Sequence, residues 1–249
     1  MKKKLLFVVQ KLSDGGAERV VSVLANCLAS MDVSVNILIY FPTDNEYPVG
    51  QDVHKIYLTN SRQQYDQLFT FDKLRAIRKI FKSVQPDFIL PFLYFVGMQT
   101  QLAGIGLQCK IVQTVRNDPR SSYKSRVRRY LRNSMFAVMW RGFAQNQRQL
   151  DYFPKFIQKK MCILPNPVAE EFFAVQHAGG NIPKIIAAGR LQTQKNFAML
   201  IRVAALLQKQ GLSFKMEIYG EGPLEKELQQ LITDYDVAGC CRLCGRSHD

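Results

Sequence analysis

The run "LLFVVQ" (5–10) is apolar almost throughout, as expected of a parallel strand buried on both faces. "SDGG" follows as a tight loop. Then Ala17, Val20, Val21, Leu24, Leu28 and Met31 fall at i, i+3, i+4, i+7, i+11 and i+14, one apolar face of a helix. "VSVNILIY" (33–40) and "VHKIYL" (53–58) are β-branched runs bounded by polar and Pro, Asp or Asn stretches. A second helix is predicted over 71–84, with Leu74, Ile77, Phe81 and Val84 on one side. "PDFILPF" (86–92), a segment around 94–107 and "KIVQTV" (110–115) continue the alternation. Repeated β-α-β order implies an α/β fold with a mostly parallel, doubly wound sheet.

Beyond residue 115 the pattern changes. Residues 119–135 are helix-compatible, with a thin apolar seam at Val127, Leu131 and Met135 and arginines over the rest. "MCILPNPV" (161–168) reads as a strand ended by Pro-Asn-Pro, and 172–183 as a linker. The alternation then restarts with strand "KIIAAGR", helix 195–210, strand 214–220, helix 223–235 and a short strand near 240–244. The chain therefore divides into a first domain over 1–168, a linker over 169–181 and a second domain over 182–249.

Charge changes the picture more than bulk composition does. The formal net charge of the 249 residues is +14. Thirteen basic residues and only two acidic ones, Asp118 and Asp151, lie between Lys110 and Lys160. The charge thus belongs to one surface, suited to anionic lipid, phosphorylated substrates or nucleic acid. No nucleic-acid-reading motif accompanies the interleaved aromatics there, such as Tyr123, Tyr130 and Trp140, which disfavours nucleic acid. No stretch is long and apolar enough to span a bilayer. The start "MKKKLLFVVQ" lacks a small-residue cleavage site and reads as a strand, not a signal peptide. Six irregularly spaced cysteines suggest reduced thiols in a cytosol. Cys241, Cys244 and His248 are too few to close a structural zinc site, so no metal is expected.

Four stretches carry candidate chemistry. In "SDGGAERVV" (13–21), Gly15 and Gly16 turn the chain into a helix whose free N–H groups suit an anion; an ordinary helix entry capped by Ser13 or Asp14 fits equally. "TVRNDPR" (114–120) places Arg116, Asn117 and Asp118 just past the fifth predicted strand, where open α/β sheets bind ligands. "GRLQTQKN" (189–196) sets Arg190 and Lys195 in a strand-to-helix loop, a fork-like donor beside a point charge. Such cations stabilise a diphosphate leaving group as charge develops on it. In "IYGEGPLEKEL" (218–228), Gly220, Gly222 and Pro223 read as a tight strand–helix connection more than a direct contact.

Together, "GGAERVV", "TVRNDP", "ILPNPV", "GRLQTQKN", "IYGEGP" and "RLCGRSHD" resemble the retaining glycosyltransferases of the GT-B fold, family 4, in the family's order over essentially the whole chain. The resemblance implies two Rossmann-like domains with the active site in the cleft between them. It implies hexosyl transfer from a nucleotide-diphosphate sugar to a surface polysaccharide or glycolipid acceptor. Arg190 and Lys195 then bind the donor diphosphate, Gly15 and Gly16 lie at the loop that approaches the donor phosphate or the acceptor, and Ser247 meets the base. Arg116, with Asn117 and Asp118, occupies the catalytic position of the first domain. No metal or other cofactor is expected, because fixed cations replace one. Arg126, Arg128, Arg129 and Arg132 form a membrane and acceptor face, implying a cytoplasmic protein peripheral to the inner face of a membrane.

The family's pair of glutamates separated by seven residues is expected beyond residue 249. On this reading the second domain is incomplete, the chain is a truncated member, and its transfer activity is impaired. The alternative is an inactive remnant that still binds membrane or a partner glycosyltransferase.

Overall fold

A computed structural model describes residues 2–120, 125–167 and 183–246, in two compact units, Met1–Ala174 and Val175–Asp249.

The first unit is built on seven parallel strands. β1 (Lys3–Val9), β2 (Val33–Ile39), β3 (Val53–Tyr57), β4 (Phe88–Pro91), β5 (Lys110–Thr114), β6 (Arg141–Ala144) and β7 (Met161–Ile163) lie in the order β3-β2-β1-β4-β5-β6-β7. β1 pairs β2 on one side and β4 on the other, so the strand order reverses there. That reversal is the switch point at which such sheets open a crevice beyond their carboxyl ends. β1 is covered on both faces, which explains its unbroken apolar run. Leu5, Phe7 and Val9 pack with Val20, Val21 and Ala25 of α1 (Gly16–Ala29). Leu6 and Val8 pack on the other face with Ile77 and Phe81 of α3 (Thr70–Val84) and Val96 of α4 (Tyr94–Ala103). Between β3 and α3 lies a short helix, α2 (Arg62–Gln67), capped by the Ser61 side chain.

The basic segment folds differently from its predicted seam. Helix α5 spans Arg126–Val138. Val127 and Leu131 point outward, at 67% and 52% exposure, and only Met135 of the expected seam is buried. The buried side is Arg132, Met135 and Phe136. Arg132, expected on the outer charged face, is 2% exposed, with its guanidinium stacked over the rings of Tyr94 and Tyr152. Aromatic partners distant in sequence accept a flat cation where aliphatic periodicity calls for leucine. Phe136 meanwhile packs on Phe153, between α6 (Gln147–Leu150) and α7 (Lys155–Gln158).

The second unit has a three-stranded parallel sheet, β10 (Cys241–Gly245), β9 (Lys215–Tyr219), β8 (Lys184–Ala188). One face is packed by α8 (Phe197–Lys209) and α9 (Glu225–Asp234) through Ile201, Ala204, Leu228 and Ile232 against Met216 and Ile218. The other face carries Ile186, 61% exposed, and Glu217, which binds Lys184 at 2.7 Å, Tyr219 at 2.9 Å and Arg242. All six cysteines are free. Among the described residues no His, Cys, Asp and Glu group is arranged to hold a metal, and no helix is long and apolar enough to cross a membrane.

Candidate functional site

In the first unit the candidate residues gather beyond the carboxyl ends of β1, β4, β5 and β6. Phe92 follows β4 and is fully buried. Leu93 beside it has φ +75°, a left-handed backbone that a branched residue adopts only where the surroundings impose it. The Arg116 guanidinium lies 4.3 Å from the Phe92 ring centroid. It donates from Nη1 to Asn166 Oδ1 at 2.7 Å, and Gln145 Nε2 donates to the same oxygen at 2.7 Å. Arg116 Nε is buried without a hydrogen-bond partner. Desolvation pushes the Arg116 pKa down to about 10, which leaves it charged at neutral pH. The result is a half-buried cation that meets no carboxylate among the described residues, an environment that favours an anionic or electron-rich ligand.

Asn117 and Asp118 are exposed at the tip of the same loop. The Asn117 carbonyl accepts from Tyr94 Oη at 3.4 Å, and Asp118 Oδ1 accepts from the Arg120 amide at 2.9 Å, closing a local Asx-type turn.

The glycine loop after β1 is organised by its own acid. Ser13 is fully buried and its hydroxyl pairs with that of Thr43 at 2.8 Å, while Asp14 binds Lys11 at 3.0 Å. The N-cap of α1 is Gly15, with extended backbone. The Glu18 carboxylate folds back over Gly15 so closely that a Cβ at Gly15 would overlap it. A carboxylate in the first turn already satisfies the helix dipole there. Gly16 is the open position, with nothing within 4 Å of a built Cβ.

The second unit holds the other cation pair. β8 ends in Gly189, and a single 3-10 turn, Thr193–Lys195, leads to α8 through left-handed Asn196 at φ +53°. Arg190 and Lys195 are both exposed on this loop, and the N-terminus of α8 has no side-chain cap. Two cations beside a helix start without a side-chain cap are chemically suited to an anion. The loop is buttressed from behind. Leu191 donates to the Glu221 carbonyl at 2.9 Å, and the Leu224 amide donates to Leu191 at 3.2 Å. Gly220 has φ +141°, and its missing Cβ leaves room for the Gly189 carbonyl; Gly222 does the same for Leu191. The "GEGP" glycines thus shape the cationic loop from behind, the connection that their sequence predicts.

Residues 14–172 match Glycosyltransferase Family 4, and residues 168–249 match Glycosyl transferases group 1. The chain belongs to Glycosyltransferase Family 4.

A curated glycosyltransferase of Campylobacter jejuni, GalNAc-alpha-(1->4)-GalNAc-alpha-(1->3)-diNAcBac-PP-undecaprenol alpha-1,4-N-acetyl-D-galactosaminyltransferase, is 26% identical over 242 residues. The match spans 94% of this chain and 66% of that protein. The crystal structure of Anabaena HepE with UDP and glucose superposes with a TM-score of 0.69 at 15% identity, covering 99% of this chain and 70% of that one. Sucrose-phosphate synthase of Thermosynechococcus elongatus gives 0.73 at 13% identity, covering 99% and 71%. At these identities the structures establish the shared GT-B glycosyltransferase fold.

Within this family fold, Arg116, Asn117 and Asp118 lie on one loop, and Arg190 and Lys195 on another. Arg126 and Arg128 are exposed and Arg129 is half-buried, whereas Arg132 leaves the outer face. Ser247 and the linker 169–181 lie outside the described residues. Sequence reasoning missed Asn166, Gln145 and Phe92. The signal for Asn166 was the Pro-Asn-Pro break, read only as a strand stop.

Proposed function

We propose that this chain carries the donor-diphosphate and catalytic loops of a retaining glycosyltransferase. It acts on a nucleotide-diphosphate sugar and a lipid-linked or polysaccharide acceptor. The observation that carries the reading is the paired cations Arg190 and Lys195 on an uncapped, glycine-buttressed loop. On this reading the bond between the sugar's anomeric carbon and the diphosphate oxygen breaks, and the anomeric carbon bonds to an acceptor hydroxyl oxygen on the same face. The nucleoside diphosphate leaves with the electron pair, and the acceptor proton passes to it or to solvent. Arg190 grips its oxygens bidentately and Lys195 adds a point charge, the role that a divalent cation takes in other transferases, so no metal or other cofactor is required.

Arg116 is the first unit's polar group at the reacting end, steadied by Asn166, with Asn117 and Asp118 beside it for acceptor hydroxyls. Gly16 gives a ligand close backbone approach, and Gly15 makes room for Glu18. The donor type is supported by the UDP and glucose of HepE, and the acceptor type by the undecaprenol diphosphate in the Campylobacter enzyme's name.

The proposed acceptor side faces an anionic membrane. Val127, Tyr130 and Leu131 stand exposed among Arg126, Arg128 and Arg129, apolar wedges within a basic ring. That mixture favours lipid over nucleic acid, which would use the arginines and leave Val127 and Leu131 idle. The protein on this reading is cytoplasmic and peripheral.

The test is transfer of labelled sugar from a UDP-sugar to a polyprenyl-diphosphate-linked glycan, with UDP release measured in parallel. Acceptor-dependent release that vanishes in Arg190→Ala supports the proposal. No release from a folded protein with any UDP-, GDP- or ADP-sugar would refute it, and would favour the remnant that binds membrane without chemistry.

A further inference from the structure

We propose that Arg132 is a positioning residue for the loop 116–120, an inference that rests on reading that loop as the reacting one. The charge is buried on α5, yet among the described residues its hydrogen-bond partners are neutral oxygens. Nη1 donates to the Pro119 carbonyl at 2.6 Å and Nη2 to Tyr152 Oη at 2.6 Å. Nε and Nη2 reach Asn133 Oδ1 at 3.3 and 3.2 Å. Burying a guanidinium without a counter-charge is costly, and an aliphatic side chain would pack α5 more simply. What arginine adds is a charged, directional donor aimed into the loop.

The loop needs one. Pro119 has no N–H and adds no backbone donor to the loop, and its carbonyl is held by Arg132 from the neighbouring helix. Tyr94 lies under the same guanidinium, 5.2 Å from its ring centroid, and donates to the Asn117 carbonyl. One cation–aromatic stack therefore holds the loop at two carbonyls, on either side of Asp118. Arg116 sits just before the first of them. The helix that supplies the latch also presents Val127 and Leu131 outward. Docking of that outer face therefore bears on the reacting loop through Arg132.

Amide hydrogen exchange on the full chain, comparing wild type with Arg132→Gln and Arg132→Lys, is the test. The reporter is the Arg120 amide, held by Asp118, and the control is the Phe92 amide, which donates to Val8 at 2.9 Å. Loss of a charged donor is worth about ten-fold or more in local opening. Arg120 exchange should therefore rise about ten-fold in Arg132→Gln, only a few-fold in Arg132→Lys, and Phe92 should not change. Should Arg132→Gln fail to fold, Arg132→Lys carries the same comparison. In turnover, kcat should fall with the nucleotide-sugar KM unchanged, and Arg132→Lys should recover part of it. Equal Arg120 exchange in all three proteins, or a matching rise at Phe92, would overturn the proposal. A wild type without transfer removes the function reading but leaves the exchange result standing.

Discussion

Arg116 and Asn166 are 50 positions apart and joined by a 2.7 Å hydrogen bond that ties the end of β5 to the segment after β7. Gln145 shares the acceptor. Three stretches of chain are thus registered around one amide oxygen. Asn166→Ala should remove this hydrogen bond from Arg116 and lower kcat by about ten-fold, the usual cost of a lost charged hydrogen bond. Steady-state kinetics with saturating donor would show it.

Arg116 should trade stability for function. Its native pKa, about 10, lies well below that of an exposed guanidinium. Between those values the unfolded chain binds more protons. The penalty is therefore fully present at neutral pH and fades as pH rises above about 10 towards the pKa of an exposed guanidinium. Arg116→Met keeps the stack on Phe92 and removes the charge. It should raise the melting temperature by roughly 2–4 °C for each ~1 kcal/mol relieved, while abolishing transfer. A thermal melt beside an activity assay separates the two effects.

The glycine buttress makes a stability prediction in the second unit. Gly220→Ala drives a methyl into the Gly189 carbonyl at a φ of +141°. Overpacking and strain together should cost about 1–3 kcal/mol, read as a lower urea midpoint, with nucleotide affinity reduced because the loop bearing Arg190 and Lys195 shifts.

Glu217 gives that unit an acid limit. Hydrogen bonds from Lys184, Arg242 and Tyr219 hold its carboxyl down at about 2, against 4.5 for a free one. A depressed carboxylate contributes stability above its unfolded pKa and loses it as pH falls from about 4.5 towards 2. Glu217→Gln should flatten that part of the pH–melting curve. Because Lys184 and Arg242 are 51% and 69% exposed, high salt should flatten it too.

The outward face of α5 predicts lipid binding. Arg126→Glu, Arg128→Glu and Leu131→Ser should each weaken sedimentation with phosphatidylglycerol vesicles, by roughly five-fold for each arginine lost. Arg132→Gln should not act by this route, since its guanidinium is inside. Equal binding by all variants would remove α5 as the contact.

Much of this was legible in the sequence wherever one face of an element decides its fate. β1, β2, β4 and β5 are apolar runs because residues packed on both faces of the sheet bury them, and α1 and α3 show their buried side as plain periodicity. β6 escaped notice because "RGFA" is four residues long and begins with a charge. The seam of α5 was misread because the helix buries Arg132 between Tyr94 and Tyr152, and no periodicity rule predicts a cation inside. The placement of Arg116, Arg190 and Lys195 in loops after strand ends was readable from the strand pattern. Asn166, Gln145 and Phe92 were not, since their roles come from sheet order and not from any local motif.

The central claim is that Arg190 and Lys195 hold a diphosphate. Calorimetric titration of the full chain with UDP, GDP and ADP, and with inorganic pyrophosphate as the base-free probe, tests it most directly. Binding by wild type that weakens about 10–100-fold in Arg190→Ala and is lost in the Arg190→Ala/Lys195→Ala pair is the predicted result. Undiminished affinity in the folded double variant, or no affinity in the wild type for any of these diphosphates, would contradict the account.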